Sequence, residues 1–145
     1  MNTKEHLAKI KTVAAKHYLA PEETDAAMAA VSPDVVYHGP AGLPKTLESW
    51  KQRHERFVTS FGDMESTILF QVAEGDLVFT YWTMKATHKG PFLGIPATGK
   101  RVIMTGVGID RIAGDKVVEH WGLQDMMGVV GQIGGTPVPE PPRVG

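Results

Sequence analysis

The sequence contains no cysteine. That one absence excludes disulfide bonds, thiolate nucleophiles and cysteine-ligated metals. There is also no apolar run long enough to cross a bilayer. The first residues, MNTKEHLAKIKTV, carry charges throughout and no apolar segment of the kind that forms a secretory leader. The expectation from these two absences is a cytoplasmic protein with no membrane partner. No basic block or stripe is present and the net charge is −1 with the histidines neutral, so nucleic acid is not an expected partner. The six histidines show no H-x-H, H-x-x-x-H or H-E-x-x-H spacing, and no metal site is expected from them. A G-x-S-x-G nucleophile motif is missing as well. The stretch 90-GPFLGIPATGK-100 contains a G-K pair, but Arg101 stands where a phosphate-binding loop needs Ser or Thr. It also lies between two predicted strands rather than before a helix. Its prolines suggest a rigid lip over a cavity instead.

What is present is ordinary for a globular chain. The 145 residues are 42% apolar and 21% charged, which fits one domain with one core. Leu7, Ile10, Ala14, His17 and Tyr18 recur at helical spacing, with Thr3 as a cap and Pro21 beyond the end. The alanine-rich 22-EETDAAMAAV-31 reads as a second short helix, and 32-SPDVVYHGP-40 as a short strand between prolines. Leu47, Trp50, His54, Phe57, Val58 and Phe61 mark a third helix that Thr46 caps. After Gly62 the period changes to that of strands: residues 64–73, 77–89, 101–112 and 117–125, joined by the turns 74-EGD-76 and 113-AGDK-116 and by the 90–100 loop. Helices followed by an antiparallel meander imply an α+β fold with the helices on one face of the sheet. The domain is expected to span residues 1–133. The tail, 134-GGTPVPEPPRVG-145, is too rich in proline to pack as helix or central strand.

The run 35-VVYHGP-40, the turn 74-EGDLV-78, the loop 87-THKGPFLGIPATGKRV-102, the strand end 117-VVEHWGLQD-125 and the closing 128-GVVGQIG-134 together resemble the SnoaL-like polyketide cyclase family, also called ester cyclases, of the NTF2-like superfamily. The resemblance runs from about Asp25 to Gly134. It implies a cone with a curved four-strand meander, one short strand and three N-terminal helices around a mostly apolar pocket. It implies ring closure by intramolecular aldol condensation on a small carbonyl-containing substrate, without cofactor or metal. It also implies a homodimer or higher homo-oligomer. In the family an aspartate on the last strand serves as acid/base, and Asp125 is the position that matches it.

The residues themselves leave alternatives open. Regular alternation puts Glu119, Trp121, Leu123 and Asp125 on one face of the last strand and His120 and Gln124 on the other. A carboxylate beside an indole and near Met126 and Met127 is partly desolvated, which raises its pKa toward that of a usable base. The competing reading makes Asp125 the N-cap of a helix beginning at Met126. His38, at the end of the short strand, and His88, just before the loop, are candidates to hydrogen-bond a developing oxyanion or to return the proton. Each has a structural reading as a histidine bonded to backbone. Trp82, Trp121, Tyr37, Met104 and Met126 are candidate walls for a flat organic molecule. Gly106 and Gly108, if they face inward, leave extra room. A hydratase, epoxide hydrolase or isomerase built on the same pocket base, or a module that only binds, remains the alternative to a cyclase.

Overall fold

The computed structural model describes residues 3–134. The proline-rich tail expected over residues 134–145 therefore lies, apart from Gly134, outside the described residues. Helix α1 (Thr3–Ala15) buries Ile10, Val13 and Ala14, a stripe at i, i+3, i+4 spacing. A 3-10 turn, Lys16–Tyr18, continues it and tucks Tyr18 under the sheet. A short helix, α2 (Thr24–Met28), precedes strand β1 (Val31–His38). Helix α3 (Leu47–Ser60) begins at the expected cap, where the Thr46 hydroxyl accepts from the Ser49 N–H at 3.2 Å.

Four strands follow: β2 (Phe61–Glu74), β3 (Leu77–His88), β4 (Arg101–Ala113) and β5 (Lys116–Gln124). They form the antiparallel meander, with Gly75 (φ 62°) and Gly114 (φ 60°) supplying the left-handed turn residues. β1 adds to the far edge in parallel with β5, so the spatial order is β1-β5-β4-β3-β2. Strand β2 starts earlier than its sequence pattern suggests, because Phe61 already pairs with His88. Asp63 then enters the left-handed region at φ 48° and the register slips between Gly62 and Glu65, which breaks the period-two pattern there. The last helix, α4 (Met126–Gln132), closes one end of the sheet by burying Val129.

Inward positions alternate cleanly along two strands. Val78, Thr80, Trp82, Met84, Ala86 and His88 point inward from β3, and Val102, Met104, Asp110 and Ile112 from β4. Two apolar clusters result. One joins α1, β1 and α3 around Ile10, Val13, Tyr37, Trp50, Val78 and Ile112. The other joins β3, β4 and α4 around Tyr18, Phe61, Trp82, Met104 and Val129. The buried polar residues Thr80, Asp110 and His120 lie between them.

Candidate active site

The sheet curves over the helices to enclose a cavity of about 1200 Å³. One wall is a ladder of flat rings. Tyr37 from β1 stacks on Trp50 from α3 (5.1 Å between ring centres, 7° apart), and Trp50 stacks on His120 from β5 (4.2 Å, 17°). The opposite wall is apolar, with Trp82, Met84, Met104 and Met126. Phe92 and Leu93 of the loop after β3 reach the mouth, so that loop does form a lip.

At the inner end of the ring ladder sits Asp110, a carboxylate with no exposed surface. An isolated buried carboxylate is very costly, and three donors surround this one. His120 Nδ1 lies 2.7 Å from Oδ1, and His17 Nε2 lies 3.0 and 3.1 Å from the two oxygens. The Tyr18 hydroxyl donates to Oδ2 at 3.2 Å. Burial by itself pushes the Asp110 carboxyl up, but the two imidazoles, through charge and hydrogen bonds, outweigh it and hold the group below its ordinary value. His120 moves the other way: burial, the largest cause, lowers its pKa against the pull of Asp110. Burial, then the Asp110 charge, raises the Tyr18 phenol, which remains a donor. A neutral His120 that donates through Nδ1 carries its lone pair on Nε2. Gly122 lies beside Nε2, where a Cβ would come within 3.0 Å of it. Among the described residues the His120 ring makes no second hydrogen bond. The result is a carboxylate-oriented imidazole whose basic nitrogen is left free on the cavity side.

His17, Asp110 and His120 also form a group whose donor atoms lie within 4.8 Å of one another. Their separations are those of hydrogen bonds, so a divalent cation would have to displace the protons that hold Asp110.

The sequence-predicted site residues divide sharply. Tyr37, Trp82, Met104 and Met126 line the cavity. Asp125 does not: it is exposed, and its carboxylate caps α4 by accepting from the Gly128 N–H at 2.9 Å. Trp121 and His38 are also off the cavity. They stack on each other at 4.8 Å on the outer side, where His38 Nε2 meets Glu119 Oε2 at 2.8 Å. The facing assigned to the last strand is thus inverted, and the cause is a bulge. Arg111 pairs with Glu119 but Ile112 pairs with Val117, so one residue of β5 is left over. Val117 and His120 consequently share the inner face, and the even-numbered residues replace the odd-numbered ones inside. His88 is fully buried away from the cavity lining. Its Nδ1 accepts from the Thr98 N–H at 3.2 Å and lies 2.9 Å from the Thr98 hydroxyl, which fastens the loop. Its Nε2 has no partner among the described residues.

Asp110, His17 and Tyr18 escaped the sequence reading as site residues. The available signal was a lone acid in the inward series of β4, and a histidine and a tyrosine on the apolar stripe continuing α1. The room expected at the glycines is taken. A Cβ on Gly106 would lie 2.4 Å from the Trp82 ring, and one on Gly108 would lie 1.7 Å from the Tyr18 hydroxyl.

A curved five-strand sheet wrapped over helices around a cavity is the NTF2-like cone fold. Within it, the profile of the SnoaL-like polyketide cyclases matches residues 12–133, and the chain belongs to that family. AclR of Streptomyces galilaeus, a candidate hydroxylase, is 27% identical, with TM-score 0.81 over 95% of this chain and 87% of its own. IdmH of Streptomyces antibioticus, a candidate polyketide cyclase, is 29% identical, with TM-score 0.75 over 86% and 98%. A SnoaL-like protein from a Jannaschia species shares the fold at 18% identity, with TM-score 0.79 over 94% and 99%. No curated protein matches the chain.

Proposed function

We propose that the protein is a cofactor-independent cyclase in which His120, held by Asp110, is the acid/base group. The observation that carries this reading is the 2.7 Å Asp110–His120 contact beside a cavity walled by flat rings. His120 Nε2 removes a proton from a carbon α to a carbonyl. The resulting enolate carbon attacks a second carbonyl of the same substrate. A carbon–carbon bond forms, and the π pair of that carbonyl moves to its oxygen. The proton on Nε2 returns to the new alkoxide, which leaves a cyclic β-hydroxy ketone and a neutral His120. Every proton and electron pair is accounted for within substrate and imidazole. A proton between two carbonyls is already acidic, so a modest base suffices, and much of the rate gain comes from holding the chain folded against the rings. Asp110 fixes the tautomer and stabilises the imidazolium formed midway.

The test is turnover of a panel of β-dicarbonyl compounds able to close a ring. His120→Gln and Asp110→Asn are expected to lower kcat/KM by about 10² to 10⁴, while Asp125→Asn leaves it unchanged. Full activity of His120→Gln, or its loss in Asp125→Asn alone, sinks the assignment. A protein that only binds would turn over none of the panel in any form.

A further inference from the structure

The arginines of the described chain fall into two kinds. On the outer side of the sheet, Arg101 meets Glu65 at 3.4 Å, and Arg111 meets Asp76 at 2.9 Å and Glu119 at 3.1 Å. Arg53 and Arg56, three residues apart on α3, line the cavity instead, and among the described residues neither has a carboxylate within 4.0 Å. Arg53 is half-buried, one turn beyond Trp50. It donates to a neutral amide, Gln124 Oε1, at 3.4 Å. It also faces the Tyr37 phenol, whose pKa burial raises and the Arg53 charge and hydrogen bond partly bring back down. The acidic side chain that lines the mouth, Glu48, is engaged by Gln52 Nε2 at 3.2 Å rather than by an arginine.

A guanidinium is strongly favoured by a planar, two-oxygen acceptor, and it gains most where water is partly excluded. Here such a group stands at the rim of a ring ladder, in a largely apolar cavity, with only neutral neighbours in hydrogen-bond reach. We propose that the ligand of this cavity is a flat, conjugated molecule bearing a free carboxylate, with its ring system against Trp50 and its carboxylate paired to Arg53. The proposal deepens the cyclase reading by naming the substrate as an acid rather than an ester. It rests on that reading only for the word substrate, because the pairing is a matter of binding.

The experiment compares two probes, 3-hydroxy-2-naphthoate and its methyl ester, by titration calorimetry. Wild type is expected to bind the acid about tenfold or more tightly than the ester. Arg53→Gln should lose that preference while its affinity for the ester stays the same, which also shows that the variant is folded. Arg53→Lys should retain part of the preference, and Arg101→Gln all of it. Equal affinity of wild type for acid and ester overturns the proposal, as does an undiminished preference in Arg53→Gln or an equal loss for both probes. His120→Gln is expected to keep the acid preference. Failure of the catalytic assignment therefore leaves this result intact, and a lost preference leaves the turnover result intact.

Discussion

Gly108 shows how a single missing side chain shapes the centre. It faces inward from β4, opposite Thr80, and a methyl there would lie 1.7 Å from the Tyr18 hydroxyl. That separation cannot be relieved without moving the phenol off Asp110. Gly108→Ala is therefore expected to cost about 1–3 kcal/mol, the usual range for overpacking a filled site. It should also remove one of the three donors that hold the carboxylate. Chemical denaturation checks the first effect. Ring-closing activity checks the second, which should fall further than in Tyr18→Phe, since the phenyl ring leaves the site filled. A stable, fully active Gly108→Ala would show that the phenol has another place to go. Trp50 makes a second case at this scale, because it stacks on Tyr37 and on His120. Such pairs are worth about 0.5–1.5 kcal/mol each beyond area burial, so the ladder also stiffens the base.

Among the elements, the end of β5 and the start of α4 carry the clearest contrast between two aspartates. Asp125 ends the strand and caps the helix through Gly128. Asp125→Ala is expected to cost about 0.5–2 kcal/mol of stability, seen as a lower denaturation midpoint, whereas Asp125→Asn, also a good cap, should cost little. Asp110→Asn should instead act on turnover, lowering kcat/KM by about 10² to 10⁴ through the wrong donor pattern at His120. The elements themselves were largely legible. Helical spacing located α1 and α3, Thr46 was readable as a cap, and the turns at Gly75 and Gly114 divided the meander. The site was not, for two physical reasons. A one-residue bulge between Val117 and Glu119 exchanges the two faces of β5, and nothing in residue type marks where the extra residue falls. Counting by twos therefore sent His120 outward and Trp121 inward. The second reason is distance along the chain. His17, Tyr18, Asp110 and His120 come from a turn after α1 and from two strands, and no local motif links positions 92 or 93 residues apart. The wall residues Tyr37, Trp82, Met104 and Met126 were easier, because each is apolar and follows its own element's period.

At the scale of the whole molecule, burying imidazoles makes stability depend on pH in a direction that can be worked out. Burial lowers the pKa of His120, and burial likewise lowers that of His54, which meets the Thr24 hydroxyl at 2.8 Å. In the unfolded chain both titrate near their ordinary 6.5. Below that value the unfolded state takes up protons that the folded state resists, so acid favours unfolding. Asp110 adds a second loss at lower pH. Its carboxyl is held below its ordinary 3.8 in the fold, so its contribution is fully present above that value and disappears as pH falls through the folded one. The expected profile has a plateau above about pH 7, a decline from about pH 6.5 downward and a steeper one once carboxylates protonate. Thermal unfolding midpoints of wild type, His54→Gln and His120→Gln between pH 8 and pH 5 check it. Each variant should show a shallower decline than wild type, because one of the two resisting imidazoles is gone. A wild-type midpoint that stays level from pH 7.5 to pH 5 would mean that the His120 ring takes up its proton in place beside Asp110. The resting centre would then be an imidazolium–carboxylate pair, and the imidazole would no longer be free to act as the base.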